Sequence, residues 1–320
     1  MMIGRPLRWA MQRVAGDGPV ILMYHRVTEL PVDPWGLAVH PDRFREQIDA
    51  LTRARHVVPL NKLLGMEARR SSRDKPLAAV TFDDGYVDVH SEARPILHAF
   101  SCPATVFVTT GAIGTDREFW WDALARIFLE TISLPATLAL TIANRTYDWV
   151  IPPLDGTGSR EKIFYEVYSV LRTLSQEVQT AYVNELGHWA NCELNPRPAH
   201  RAMTRQELED LSHDLITIGP HSVTHPTLPA HSPEFQRQEI LESKRFCEAI
   251  TGGPVDTFAY PFGDYDDPTV SAMRDAGIKF ACTTRPGVVH TNVDPLRLPR
   301  FQVGNWNGEE LLKRVAEGCI

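Results

Sequence analysis

Three features are scarce in this 320-residue chain: paired cysteines, excess basic charge and long apolar runs. The five cysteines are scattered and none forms a CxxC pair, which argues against a disulfide framework and against a zinc site built from thiolates. A reducing compartment fits this cysteine usage best. With 33 basic against 40 acidic residues, the chain lacks the basic footprint of nucleic-acid-binding proteins, so we expect no nucleic-acid partner.

Segments of the targeting or membrane-spanning type are also missing. The N-terminal segment, residues 1–17, has arginines at positions 5, 8 and 13 that interrupt its apolar residues, so it lacks the continuous apolar region of a secretory signal. No later stretch approaches the length needed to span a membrane. We therefore expect a soluble, cytoplasmic protein. The alternative is peripheral contact with the inner face of the membrane through a short amphipathic N-terminal helix, although such helices usually pack on their own domain.

What the sequence does contain is an alternation of apolar β-type runs with helical patterns. Each run ends in polar or turn residues, and the runs are VILMYHRV at 20–27, LAAVTFDDGY at 77–86, ATVFVTTG at 104–111, LITIGPHS at 215–222, TFAYPFG at 257–263 and FACTTRPG at 280–287. Helical spacing appears between several of them, as in PDRFREQIDALTRA at 41–54. Six or more such units predict an α/β fold with parallel strands, closed as a barrel rather than left as an open sheet.

The stretch from about 115 to 200 interrupts this rhythm. It contains an aromatic helical segment, a polar segment with some β character and a long helical segment. The strand pattern resumes after it. We therefore interpret it as a mainly helical insertion between two strands of a barrel that spans residues 18–320, and not as an independent domain.

Ionisable or polar residues follow four of the predicted strands, and these are Asp83 and Asp84, His221 and His225, Tyr260, and His25. In a parallel α/β barrel the C-terminal ends of the strands meet at one rim, where functional groups collect. Asp-Asp-Gly alone is ordinary turn chemistry, and H-x-x-x-H alone occurs by chance. Together they supply two nitrogens and one oxygen, and they leave positions open for water and substrate, as catalytic metal sites require. One aspartate would bind the metal while its neighbour stays free to act as a base.

Three segments resemble the first three motifs of the polysaccharide deacetylases, the carbohydrate esterase family 4 or NodB-homology group, and these are TFDDGY at 81–86, HSVTH at 221–225 and YPFG at 260–263. The resemblance covers roughly residues 18 to 305, although the insertion matches only a subgroup. It implies a distorted (β/α) barrel of about seven parallel strands.

The same resemblance implies roles for individual residues. Asp83 would be the general base, and Asp84, His221 and His225 would hold a divalent metal. Zn²⁺ is the expected ion, with Co²⁺, Ni²⁺ or Fe²⁺ as alternatives. The implied activity is removal of N-acetyl groups from an amino sugar in a glycan or glycolipid precursor, which makes an N-acetylated carbohydrate the expected partner.

Two departures from the family pattern leave roles to assign. The third motif usually carries an arginine that orients the catalytic aspartate, but Ala259 stands there, so Arg285 or Arg300 is the expected substitute. We otherwise interpret Arg297 and Arg300 as strand-flanking ion pairs. The C-terminal leucine-x-histidine motif that supplies the general acid is missing. Some similar deacetylases carry this histidine in a context like LMYHRV, so His25 is the candidate acid, with a strand-capping histidine as the alternative.

Further residues are expected to contact the substrate. The backbone N–H of Tyr260 would hold the oxyanion, and its neighbours Pro261 and Phe262 would line the site. Arg285 would contact substrate from a nearby strand end. Trp121 would stack on a sugar ring, although core packing is the more ordinary role for a tryptophan in a helical segment.

Two other functions are compatible with the sequence. The same site could serve an amidohydrolase or deformylase that acts on a non-polymeric amide. The chain could also be a carbohydrate-binding protein with impaired catalysis, because Ala259 replaces an arginine and the C-terminal histidine is missing. Retention of Asp83 and of all three expected metal ligands argues against this second alternative.

Overall fold

The computed structural model describes residues 18–68, 71, 74–142, 145–153, 159–212, 215–290 and 292–318. The predicted N-terminal segment, residues 1–17, lies outside the described residues. The chain divides into two compact units. Unit 1 comprises Met1–Leu30, Gly36–Thr115 and Ala202–Ile320, and unit 2 comprises Pro31–Trp35 and Asp116–Arg201.

Parallel pairing dominates the strands, which are β1 (Val20–Tyr24), β2 (Arg26–Val27), β3 (Ala38–Val39), β4 (His56–Val57), β5 (Leu77–Phe82), β6 (Ala104–Val108), β7 (Thr137–Ile142), β8 (Arg145–Val150), β9 (Ile216–Pro220), β10 (Thr257–Ala259), β11 (Phe280–Cys282) and β12 (Phe301–Gln302). One parallel sheet has the order β12-β1-β5-β6-β9, and β4 also pairs with β5. Two further parallel pairs are β10–β11 and β2–β3. The only antiparallel ladder of the described residues is the hairpin β7–β8 in unit 2.

Helices separate most of these strands, and they are α1 (Pro41–Ala54), α2 (Leu60–Glu67), α3 (Arg94–Ala99), α4 (Trp120–Ala125), α5 (Arg160–Leu171), α6 (Gln176–Trp189), α7 (Arg205–Ser212), α8 (Pro233–Thr251), α9 (Asp267–Asp275) and α10 (Gly308–Glu317). Single π-helical turns cover Val89–Ala93 and Arg126–Glu130, and 3-10 turns cover Pro198–His200, Leu228–Ala230 and Pro261–Gly263. No described helix combines the length and the apolar character that crossing a bilayer would need.

Local sequence explains where several elements begin. Helix α1 spans the predicted residues 41–54, begins with Pro41, and buries Phe44, Ile48 and Leu51 along one side. Helix α7 follows a capping box in which the N–H of Glu207 donates to the Thr204 hydroxyl (3.2 Å) and the N–H of Thr204 donates to the Glu207 carboxylate (2.7 Å). Strand β5 is buried at every position, as expected for a parallel strand covered on both faces.

The predicted mixed α/β fold with parallel strands is therefore confirmed. In the described residues the ladders of the main sheet end at β9 on one side and at β12 on the other, and the β10–β11 pair keeps a ladder of its own. Unit 2 contains α4, α5 and α6 together with the β7–β8 hairpin. The C-terminal ends of β1, β5, β9 and β10 belong to unit 1, and they carry His25, Asp83, His221 and Tyr260.

Candidate active site

The two aspartates lie in a tight turn directly after β5. The N–H of Asp83 donates to the carbonyl of Tyr24 (3.0 Å), which continues the β1–β5 pairing by one residue. Asp84 then adopts a left-handed backbone with φ 70°, and Gly85 follows with φ 89°. A Cβ on Gly85 would lie 3.0 Å from the Val108 side chain, so glycine also provides space here. Because of this turn, the neighbouring carboxylates of Asp83 and Asp84 contact different partners.

Asp83 is bound by a buried arginine that approaches from the start of β12. Arg300 donates from Nη1 to Oδ1 of Asp83 (2.7 Å) and from Nη2 to Oδ2 (2.6 Å), a bidentate ion pair. Its guanidinium also donates to the hydroxyl of Thr81 (3.2 Å) and, from Nε, to the carbonyl of Thr283 (2.9 Å). The exposed fraction is 1% for Asp83 and 0% for Arg300. The carboxylate is therefore fixed in orientation and shielded from bulk water.

The ion pair keeps Asp83 ionised despite its burial. Burial alone would raise the pKa of Asp83, but the charges of Arg300 and His221 and the hydrogen bonds from Arg300 hold this pKa well below its usual value. For Arg300, burial acts to lower the pKa, and the charge of Asp83 more than offsets this effect. Each carboxylate oxygen that accepts from Arg300 retains a second lone pair.

Asp84, His221 and His225 form the three-residue cluster able to hold a metal ion in the described part of the chain, and their ligand atoms lie within 4.8 Å of one another. Oδ1 of Asp84 lies 3.6 Å from Nε2 of His221 and 3.4 Å from Nε2 of His225. These separations are too long for good hydrogen bonds. They match the separation of about 3.4 Å expected for two ligands that bind one tetrahedral ion at about 2.1 Å. The donor set and its spacing fit a divalent metal.

A backbone carbonyl sets the tautomer of His221. Nδ1 of His221 lies 2.7 Å from the carbonyl of Ala259 at the end of β10. A carbonyl can only accept, so Nδ1 carries the proton and Nε2 keeps its lone pair facing Asp84. Ala259 occupies the position of the family's usual arginine, and in this chain its backbone orients a metal ligand.

The loop that carries both histidines has an unusual backbone. Ser222 (φ 63°) and His225 (φ 56°) are both left-handed, and so are Asp84 and Phe262. These are four of the six non-glycine residues with positive φ among the described residues. Such conformations cost about 1–3 kcal/mol each and persist where surrounding contacts impose them. One of these contacts is the hydrogen bond from the N–H of His225 to the Ser222 hydroxyl (3.0 Å).

His25 lies between β1 and β2, close enough to interact electrostatically with Asp83, Arg300 and His221. Its Nδ1 is buried and has no hydrogen-bond partner among the described residues. Burial lowers the pKa of His25 to about 4, against the opposing effect of the negative charge of Asp83. The imidazole is therefore neutral at neutral pH, and a buried ring nitrogen remains for a substrate or water to bond.

A buried carboxylate fixes the chain next to His25. Asp88 accepts from Nε of Arg26 (2.9 Å) and from the N–H of Val27 (2.8 Å). The Arg26 guanidinium in turn lies 4.2 Å from the centroid of the Tyr86 ring. The first residues of β2 are thereby joined to the segment that follows Asp84. Sequence reasoning did not identify Asp88, whose only signal is a carboxylate in an otherwise buried segment.

The expected role of the Tyr260 backbone is wrong. Its N–H donates to the carbonyl of Cys282 (3.0 Å) in an extension of the β10–β11 ladder, so it does not face an oxyanion. The side chain is buried in an apolar cluster and its hydroxyl donates to the carbonyl of Leu296 (2.9 Å). Pro261 is also buried, whereas the Phe262 ring packs edge-on against the ring of His225 with centroids 4.5 Å apart. Of this trio, Phe262 is the residue whose side chain contacts the site.

Trp121 and Arg285 are the other two candidates for substrate contact, and for both this role stays a prediction. Trp121 belongs to unit 2, where its buried ring stacks on Phe119 with centroids 4.6 Å apart, so its surroundings are those of a core residue. Arg285 is exposed, and its guanidinium lies 5.4 Å from the ring centroid of Tyr265. The contacts expected of an orienting arginine are made by Arg300 instead. Arg300 does form an ion pair, as its position beside a strand predicted, but the partner is Asp83.

Comparison with known proteins places these observations in a family. The family model described as polysaccharide deacetylase matches residues 70–152 and 155–281, which is more than half of the chain. The chain belongs to the polysaccharide deacetylase family. This matched region contains the aspartate turn and the histidine loop, and it ends before Arg300.

Several solved structures share the fold over nearly the whole chain. The Streptococcus pyogenes deacetylase PplD, solved in complex with acetate, has a TM-score of 0.60 at 20% identity and covers 92% of this chain and 97% of its own. IcaB from Ammonifex degensii has a TM-score of 0.59 at 18% identity, covering 95% of this chain and 98% of its own. A curated relative, the polysaccharide deacetylase homologue YxkH of Bacillus subtilis (strain 168), is 25% identical over 101 residues. That match spans 32% of this chain and 36% of the relative.

Proposed function

We propose that this deacetylase hydrolyses the N-acetyl group of an amino sugar in a glycan or glycolipid precursor. The observation that carries the proposal is the metal-type cluster of Asp84, His221 and His225 beside an ionised, arginine-bound Asp83. Membership of the family supports the same chemistry. Zn²⁺ is the proposed ion, because two histidines and one carboxylate are a common ligand set of catalytic zinc, although Co²⁺, Ni²⁺ and Fe²⁺ accept the same donors.

The residues divide the hydrolysis between them. Asp84, His221 and His225 would hold a divalent ion, whose Lewis acidity would polarise the acetyl carbonyl and lower the pKa of a water. Asp83 accepts the proton of the attacking water at a carboxylate oxygen, and Arg300 keeps that carboxylate ionised and oriented. The leaving amine needs a proton, and His25 donates it. Because burial keeps His25 neutral at neutral pH, the imidazole does not carry a second proton when the reaction starts. The proton that it donates is the one that Asp83 takes from the attacking water, so one proton passes from the water to the departing amine.

One residue beside the cluster supports a small acyl group, and the cysteines support a cytoplasmic setting. Phe262 is partly exposed beside His225 and offers an apolar surface on which an acetyl methyl can pack. The cysteines in the described residues, Cys102, Cys192, Cys247 and Cys282, are all free, in keeping with a reducing compartment. We therefore propose a substrate encountered in the cytoplasm.

The proposal predicts metal-dependent release of acetate from N-acetylglucosamine oligomers. Protein reconstituted with Zn²⁺ should release acetate and leave free amines, with simple amides and formamides hydrolysed far more slowly.

His221→Ala removes one of three protein ligands and should abolish both stoichiometric metal binding and turnover while the circular dichroism spectrum is retained. Full metal content and turnover in His221→Ala would contradict the site. Preference for a simple amide would instead favour the amidohydrolase alternative.

A second prediction concerns His25 as the proton donor. His25→Gln should bind metal normally but lose roughly 10²–10⁴-fold in turnover of an N-acetyl sugar, because an unprotonated amine is a poor leaving group. Turnover of an activated acetyl ester, such as a nitrophenyl acetate, should fall far less, because that leaving group departs without a proton. Equal losses on the two substrates would indicate a structural role for His25. Unchanged amide turnover would exclude it as the acid.

A further inference from the structure

Glu239, a buried carboxylate on α8, bonds the loop that carries both candidate histidine ligands. Its Oε2 accepts from the backbone N–H groups of Val223 (2.8 Å) and Thr224 (2.9 Å), and its Oε1 accepts from the Thr224 hydroxyl (2.8 Å). The Ser222 hydroxyl makes a further hydrogen bond to the same carboxylate. Glu239 is 5% exposed, so these bonds form away from bulk water.

The bonded segment lies between the two ligands. His221 and His225 stand at either end of residues 222–224, and Glu239 contacts every residue between them. The Ser222 hydroxyl also accepts the N–H of His225 (3.0 Å), so a chain of hydrogen bonds runs from the helix through Ser222 to the second ligand.

The loop needs such restraint because its backbone is unfavourable. Ser222 and His225 both adopt left-handed φ angles, which side chains other than glycine rarely occupy. On the other side, the N–H of Gly111 donates to the carbonyl of Val223 (2.8 Å), and a Cβ on Gly111 would lie 2.7 Å from that oxygen. The loop is therefore held between a glycine on one side and the Glu239 carboxylate on the other.

We propose that Glu239 is a positioning residue for the metal site: it fixes the loop so that the Nε2 atoms of both histidines face Asp84. It does not touch the metal, and it acts only through residues 222–224. The inference rests on the proposed metal site. Burial raises the pKa of Glu239, and the hydrogen bonds from residues 222–224 act against this effect. A carboxylate suits the task because its two oxygens offer about four acceptor positions and no donor, which matches the N–H and hydroxyl donors that the loop directs at it.

Glutamine at this position tests the idea with little change in shape. Glu239→Gln replaces one acceptor oxygen by an NH₂ group. If the amide oxygen stays with the N–H groups of Val223 and Thr224, this NH₂ group faces the Thr224 hydroxyl, which then has to change from donor to acceptor. We expect the affinity for Zn²⁺ or Co²⁺, titrated alone against a competing chromophoric chelator, to fall about 10–100-fold, as for other groups that orient metal ligands. Activity should recover at saturating metal.

Gln236 on the same helix provides a matched control. It is as buried as Glu239, donates to the carbonyl of His231 (3.1 Å) and accepts from the Thr269 hydroxyl (2.5 Å), and it makes no hydrogen bond to residues 221–225 among those described. Gln236→Ala should lower the melting temperature and leave metal affinity unchanged. Thr224→Val, which removes a single hydroxyl bond to Glu239, should weaken metal binding by less than Glu239→Gln and provides the test if the glutamine variant does not fold.

The outcomes separate this inference from the proposed function. If Glu239→Gln or, failing that, Thr224→Val binds metal as tightly as the unmodified protein, Glu239 is only structural and the inference is overturned. A similar loss of metal affinity in Gln236→Ala would overturn the inference as well, because the loss would then result from lower protein stability and not from the missing bonds to the loop. If the unmodified protein binds no divalent ion, the metal site itself fails. Weakened binding in a protein that releases no acetate would support Glu239 and refute the deacetylase function.

Discussion

Asp83→Asn should retain its metal and lose roughly 10²–10⁴-fold in turnover of an N-acetyl sugar. The amide keeps the size and planarity of the carboxylate but does not accept a proton from water at neutral pH. Asp83 contributes no atom to the cluster of Asp84, His221 and His225, so metal content measured on the purified variant should stay close to one ion per chain.

Asp84→Asn is the matched comparison, because it makes the same chemical change one residue along. It removes the negative charge from the cluster, and we expect metal affinity to fall together with turnover. Added metal should therefore restore part of the activity of Asp84→Asn and none of the activity of Asp83→Asn. Equal metal loss in the two variants would refute the division of roles between the neighbouring carboxylates.

Removal of Arg300 should strongly destabilise the protein. Arg300→Met deletes the partner of a buried carboxylate, and breaking such a pair from one side typically costs about 3–5 kcal/mol. Urea denaturation of the metal-free protein should show a lower midpoint, and turnover should fall because Asp83 is no longer held in place.

A double substitution distinguishes two causes of instability in Arg300→Met: the unpaired charge of Asp83 and the lost packing of the arginine side chain. Asp83→Leu combined with Arg300→Met replaces both charges by apolar groups, and its stability should lie well above that of Arg300→Met alone, since no unpaired charge remains. Arg285→Met is the control, because this exposed arginine makes no ion pair with Asp83 and its loss should leave the midpoint nearly unchanged. A double variant as unstable as Arg300→Met would show that packing of the arginine side chain, not charge pairing, dominates.

Much of the site could be predicted from the sequence because functional residues of a parallel α/β fold collect at the C-terminal ends of its strands. This rule applies without a detailed structure. Parallel strands bring their C-terminal ends together, and Asp83 and His221 each follow such a strand directly. Asp84, His221 and His225 do lie together, with their ligand atoms within 4.8 Å of one another, and their role as metal ligands stays a prediction. Helix α1 was also predicted to the residue, and β5 begins at the first residue of the predicted run 77–86, since apolar periodicity and local start signals agree there.

The same rule could not decide between Arg285 and Arg300 as the arginine that orients Asp83. Arg300 stands at the N-terminal end of β12, one residue before Phe301, which pairs with Leu22 in the middle of β1. Its long side chain extends through the interior to reach Asp83, and a rule about C-terminal strand ends does not predict that placement. The error at Tyr260 has a different source. The strand pattern did not show that the β10–β11 hydrogen bonds continue by one residue and use its N–H.

The sequence distance between Asp83 and Arg300 has a consequence for the newly made chain. The two ion-pair partners are 217 residues apart. At a translation rate of about 5–20 residues per second, the carboxylate is synthesised roughly 10–40 s before its counter-ion. During that interval Asp83 has no arginine to compensate its burial, so β5 has to keep its C-terminal end hydrated while the neighbouring strands form. From the cost of an unpaired buried charge, we expect water to leave the surroundings of Asp83 only after the segment that contains β12 has been synthesised.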